Sequence, residues 1–266
     1  MSRKARTAVI ILVILSLILA IIALLMLNDG FADTDEVVTK KGFDRTKAES
    51  LTPDTEQGQN EENAPEPVKK YESPVDFKKL KKVNPDIYAW IDIPGTNVSY
   101  PVLQNEENNR YYLNHNSDGN YSVEGSLFTE YYYNRKRFDD PLTVIYGHFM
   151  SDGSLFGSLQ KYYSDETFFR EHNIIHVYLE DKMKEYVIFA AVPYSNIHLL
   201  RYYNFASPRV FDAVIDDVFS VRDMSATLDE SKRPKYGQKI LILSTCLWGD
   251  NRQRYLIFAA EPKVNK

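Results

Sequence analysis

The sequence predicts a mainly β domain with inserted helices, an eight-stranded β-barrel carried behind an N-terminal transmembrane helix. Three observations lead there. Eight short apolar or alternating runs recur between residues 88 and 260, most joined by short links, which suits an antiparallel or mixed barrel. Between them stand segments whose apolar residues fall at helical spacing. Ahead of them all lies one long apolar run, residues 8–27.

Taken in order, residues 1–7 ("MSRKART") are basic, and residues 8–27 ("AVIILVILSLILAIIALLML") are long enough to span a bilayer core of ~30 Å at ~1.5 Å per residue. Arg3, Lys4 and Arg6 precede the run and Asp29, Asp33 and Asp35 follow it, so the positive-inside rule places the N-terminus in the cytoplasm. A cleaved signal peptide is the rival reading, but the run is longer than such apolar regions and "LLMLND" offers no small-x-small site. Residues 28–70 are acidic, poor in aromatics and dotted with Pro and Gly. They are expected to form a disordered extracellular stalk. The domain then occupies 71–266.

Within the domain, 74–82 reads as a short amphipathic helix. Strands are expected at 88–93, 98–103 (with Pro101 marking an edge or bulge), 125–130 and 142–148. A helical turn is expected within 105–113, and helices at 154–163 and 165–172. The runs 174–180 and 185–194 form two strands joined by a turn at Asp181-Lys182. Helix 209–221 follows, with Ser207 as N-cap and Pro208 at its first position. Strands 238–245 and 254–260 close the barrel. The 19 Tyr and 14 Phe supply ample core, and the net charge of −5 gives no reason to expect a nucleic-acid partner.

The chain has one cysteine, Cys246, in "LILSTCLWGD". Outside the cell a lone thiol is either buried and inert, bridged to another chain, or reactive, and taken alone it is more often inert. A reactive thiolate needs a proton-exchanging partner and an oxyanion donor. His148 ends the strand "LTVIYGH", where Gly147 permits a bend; Arg254 opens the strand after Cys246. A guanidinium cannot act as a base there but can donate paired hydrogen bonds to an oxyanion. Arg252, two residues earlier, would share its face on an extended strand and competes for the role. His115 is the second choice for partner, and His198 reads as a loop histidine without neighbours of interest. His172 and His176 have the i, i+4 spacing of a metal pair, yet no Cys or carboxylate pattern completes a zinc site, so metal is expected to be absent.

A basic tip, an anchor, a stalk and then "YGH", "LSTC" and "RYLIFA" together resemble a sortase. "NPDIYAWIDIPGTNVSYPVLQ", "YYLNHN", "GSLFTE" and "YGHFMSDGSLFGSLQKY" resemble class B in particular, and helix 209–221 resembles the insertion of that class. The likeness runs over residues 71–262. It implies a Gram-positive cell-surface cysteine transpeptidase working without metal or organic cofactor. By this resemblance Cys246 attacks a carbonyl in a C-terminal sorting motif, Arg254 stabilises the oxyanion, and His148 protonates the leaving amine. An amine of a peptidoglycan precursor, or a pilin lysine in the alternative reading, then resolves the thioester. Tyr146 and Ser244 match substrate-groove positions. The implied location is the cell membrane, single-pass, with the domain outside. Two departures stand out: Leu247-Trp248 follows the cysteine where an acidic residue is common, and the link from Cys246 to Arg254 is short. A membrane-tethered binding domain with an inert thiol remains the non-enzymatic reading.

Overall fold

The computed structural model describes residues 71–263; the expected basic tip, anchor and stalk lie outside the described residues. Among the described residues no helix is long and apolar enough to cross a membrane.

Eight strands close into a barrel: β1 (Ile87–Asp92), β2 (Ser99–Leu103), β3 (Leu127–Phe128), β4 (Leu142–Tyr146), β5 (Ile174–Tyr178), β6 (Met183–Ser195), β8 (Ile240–Leu247) and β9 (Asp250–Ala260). A two-residue β7 (Thr227–Leu228) is appended to β6. The ladder runs β5-β1-β2-β3-β4-β8-β9-β6, and a β5–β6 hairpin shuts the ring. Closure leaves no long open edge to pair with another chain. The barrel is mixed, with β2–β3 and β4–β8 parallel and the other pairs antiparallel. Pro101 pairs with Trp90 and lies just before the two β2 residues that meet β3, so its missing N–H costs no ladder bond on that side.

Several expected elements are shorter than their patterns. Strand 125–130 reduces to Leu127–Phe128, because Gly125 sits at φ +64° and the Glu130 carbonyl already accepts the turn bonds of Tyr133 and Asn134. Of helix 154–163 only Leu159–Tyr163 forms. Residues before it fold back over the end of β4, with Phe156 N donating to the His148 carbonyl and Gly157 lying against the Met150 carbonyl with no room for a side chain. In 105–113 only a 3-10 turn, Tyr111–Leu113, appears. The helices are α1 (Phe77–Val83), α2 (Leu159–Tyr163), α3 (Glu166–Glu171), α4 (Leu199–Tyr202) and α5 (Pro208–Ser220); α1, α3 and α5 lie within a few residues of expectation, and the short α4 was not expected. Ser207 stands at the N-cap of α5 with Pro208 behind it, but its hydroxyl makes no capping bond.

Ile240–Leu243 of β8 and Ile257–Ala260 of β9 are buried on both faces, which is why these stretches read as unbroken apolar runs. Leu241, Leu243, Tyr255, Ile257 and Ala259 fill the barrel interior. Ile240, Ile242, Leu256 and Phe258 face outward under α5, against Phe211, Val214, Ile215 and Val218. Burying such a side chain stabilises by roughly 1.5–3 kcal/mol. A third cluster seats α1 through Phe77 and Leu80 against Trp90 and Tyr178.

Candidate active site

Side chains alternate along a strand, so Ser244 and Cys246 share the outward face of Ile240 and Ile242. The same alternation puts Tyr146 above Leu142 and Val144 on β4, and Arg254 above Leu256 and Phe258 on β9. This outward face carries the helix-covered core at one end and opens into a groove of about 450 Å³ at the other.

Register brings the three chemical groups together. Tyr146 pairs with Ser244 across the parallel β4–β8 ladder, and Gly147 N extends it by donating to the Ser244 carbonyl at 3.1 Å. His148 lies two residues past Tyr146 and Cys246 two past Ser244, just beyond the last paired position of the two strands. On the other side of β8, Arg254 is directly opposite Cys246. All three line the groove. Cys246 is a free, partly exposed thiol. Gly147 is needed for space rather than for a positive φ: a Cβ there would run into Leu127 and Phe156.

The His148 ring is held by the 3-10 turn, with Nε2 2.7 Å from the Leu113 carbonyl oxygen. A carbonyl only accepts, so Nε2 carries a proton toward it. His115 is placed elsewhere: it stacks on Tyr111 at 3.8 Å and bonds that residue's carbonyl at 2.7 Å. Arg252 is set apart from Arg254 by a bulge. Leu247 pairs with Asp250 and Cys246 with Arg254, so residues 251–253 have no partners on β8. Arg252 then clamps Asp250 with two bonds of 2.9 and 3.0 Å, and its guanidinium holds the Asp250 carboxyl down to about 2. The short link between Cys246 and Arg254 is this bulged hairpin. Leu247 turns inward against the barrel core, while Trp248 is 74% exposed at the tip and its N–H donates to Gln160 Oε1 at 2.9 Å. Neither Leu247 nor Trp248 lines the groove.

The sequence reading missed two groove residues. Glu130, just beyond β3, is a buried carboxylate that accepts the Tyr146 hydroxyl at 3.0 Å. His198, expected to have no neighbours of interest, lies 2.9 Å from Glu130 Oε2. Burial, then the Glu130 charge, pushes the Tyr146 hydroxyl far above its usual range, so it stays a donor. An acid closing an apolar run was the one signal for Glu130. His172 and His176 fall on different elements, one capping α3 and the other on β5, and do not form a helical pair.

The family model for the sortase domain matches residues 91–262. The chain belongs to the sortase family. Its class is B: it is 28% identical to Sortase B of Staphylococcus aureus over 200 residues, 71% of this chain and 75% of that one. A match to Sortase B of Listeria monocytogenes is 42% identical over 87 residues and spans 33% of this chain and about a third (35%) of that relative. Among solved structures, sortase B of Clostridium perfringens superposes with a TM-score of 0.61 at 28% identity, covering 70% of this chain and 99% of that one. A Staphylococcus aureus sortase B–substrate complex superposes at 0.60 and 26% identity, covering 71% and 85%. Sortases are cysteine transpeptidases, and the mainly β barrel of this chain is the fold of these relatives.

Proposed function

We propose that this sortase cleaves a C-terminal sorting motif of exported proteins and transfers them to an amine of a peptidoglycan precursor. The single observation that carries the reading is the convergence of His148, Cys246 and Arg254 on one groove, with Cys246 paired to Arg254 across β8–β9 and His148 just past the end of β4. The Cys246 thiolate attacks the motif carbonyl and forms a C–S bond. The negative charge that develops on the carbonyl oxygen meets the Arg254 guanidinium, a donor that stays charged throughout. His148 delivers a proton to the departing amine as the C–N bond breaks, leaving a thioester on Cys246. The acceptor amine then attacks the thioester, His148 takes its proton, and the thiolate leaves. Tyr146 and Ser244, on the groove wall, contact the bound peptide. On this reading residues 8–27 anchor the chain in the membrane, with residues 28–70 as the stalk and the domain outside the cell.

The test is a fluorogenic sorting-motif peptide incubated with the purified chain, with and without a small primary amine. Cleavage, an acyl adduct on Cys246 by mass spectrometry, and an amide product with the amine are expected. Cleavage that persists in Cys246→Ala would sink the assignment.

A further inference from the structure

In the sheet, β4 and β6 are separated by β8 and β9, three inter-strand steps or about 14 Å. His198 leaves the end of β6, yet its ring reaches Glu130 at the β3–β4 side. That is achieved only if the segment after β6 folds back across the outward face of β9 and β8, and Ile197, His198 and Leu199 do line the groove there. The segment is therefore one wall of the groove, and Glu130 with Tyr146 is the other.

The chemistry of the bridge is defined by the second ring nitrogen. His198 is the N-cap of α4, and its Nδ1 accepts the Arg201 backbone N–H at 3.2 Å. An accepting Nδ1 carries no proton, so the proton sits on Nε2 and is donated to the Glu130 carboxylate, 2.9 Å from Oε2 and 3.2 Å from Oε1. Glu130 is anchored in turn by the Tyr146 hydroxyl and by a backbone turn closed on its own carbonyl. Its side chain is 10% exposed, so the bond is shielded from competing water. Tyr133, 5.0 Å from the His198 ring, covers the outside.

We infer that Glu130 and His198 are positioning residues: their hydrogen bond holds the segment after β6 over the sheet and sets the groove at the width of a sorting peptide. The inference rests on the groove being the peptide site.

Two substitutions separate the roles of the ring nitrogens. Asn at 198 keeps an acceptor for the Arg201 N–H but is too short to reach Glu130; Gln reaches Glu130 but gives up the cap. Peptide binding is read by fluorescence anisotropy on the Cys246→Ala background, and KM and kcat on the active enzyme. His198→Asn should weaken binding and raise KM roughly tenfold, the worth of one hydrogen bond to a charged group, with kcat within about threefold. His198→Gln should stay within about threefold of the parent in KM. Glu130→Ala, which also strips the Tyr146 hydroxyl of its acceptor, should be at least as impaired as His198→Asn, and the double variant should be no worse than Glu130→Ala alone. This non-additivity also decides the matter through Glu130→Ala and His198→Gln if His198→Asn fails to fold, since Gln must then lose its advantage over Ala at 198 once Glu130 is gone. Parent-like binding by His198→Asn, equal defects in Asn and Gln, or additive effects would each overturn the inference. Absence of any peptide binding to Cys246→Ala would overturn the functional reading and the inference with it, whereas binding that ignores these substitutions overturns the inference alone.

Discussion

The two halves of the β8–β9 ladder differ in what covers them. From Ile240 to Leu243, facing Ile257 to Ala260, both faces are buried, one by the barrel interior and one by α5. From Ser244 to Leu247, facing Asp250 to Leu256, the outward face is left open, and the residues there change from Ile and Phe to Ser, Cys and Arg. The backbone register is continuous through both until the bulge. The site is thus made by ending the helix cover on a rigid ladder, which holds Cys246 and Arg254 in place without a loop. The closed half is further sewn by charges: Asp139 meets Lys182 at 3.2 Å and Lys184 at 3.1 Å, and Lys184 reaches Glu261 at 3.2 Å.

The contrast breaks first at its two extremes. Cys246→Ala should lower peptide cleavage by about 10⁵-fold or more while the melting temperature stays unchanged. Phe258→Ala, two residues beyond the open half on the same face as Arg254, should cost about 3–5 kcal/mol in denaturant unfolding and leave the turnover of folded molecules near normal. If each substitution produced the other's effect, the division between the halves would be wrong. His148→Ala should follow with a loss of about 10²–10⁴ in kcat, against little change for His115→Ala, which steady-state kinetics on both variants will compare. An equal loss for His115→Ala would move the proton-exchanging group to the Tyr111 stack.

Arg254→Ala should reduce kcat about 10²–10³-fold, and Arg252→Ala much less, because the bulge sends Arg252 out to Asp250. Equal losses would mean the ladder continues without the bulge. The smallest effect lies at the closed end. Although partial burial opposes it, the two lysines hold the Asp139 carboxyl at about 2, below its ordinary value of 3.8. A depressed carboxyl contributes stability that is present above the unfolded value and is lost as pH falls from about 4 toward 2. Asp139 is 39% exposed, so solvent screens most of this, and Asp139→Asn should lower the melting point at pH 7 by only roughly 1–3 °C. Thermal melts of the two proteins should converge near pH 2; a gap that persists there would rule out the ion pairs as its source.

Most of the barrel was legible because burial on both faces leaves a local mark: "KILILSTC" and "RYLIFAA" are apolar whatever they pair with. Cys246, His148 and Arg254 were legible as polar residues closing or opening such runs. Where the sequence was misread, the deciding contact came from far along the chain. Strand 125–130 shrank because Gly125 lies against the Tyr112 carbonyl, and the helix after His148 lost its first turn to a fold over β4. Gly147 read as a hinge, and is instead a gap that Leu127 and Phe156 fill. His198 looked isolated because its partner, Glu130, is 68 residues away.

The sequence alone thus determined the apolar runs that become the eight barrel strands and the three polar side chains, His148, Cys246 and Arg254, at or near their ends, since each depends on a pattern over a few neighbouring residues. Only the tertiary structure decided that His148 shares one groove with Cys246, that Arg254 rather than Arg252 faces it, and that Glu130 and His198 meet across the groove. Those facts depend on register between strands nearly a hundred residues apart, on one bulge, and on a segment folded back over a sheet, and no local pattern records any of them.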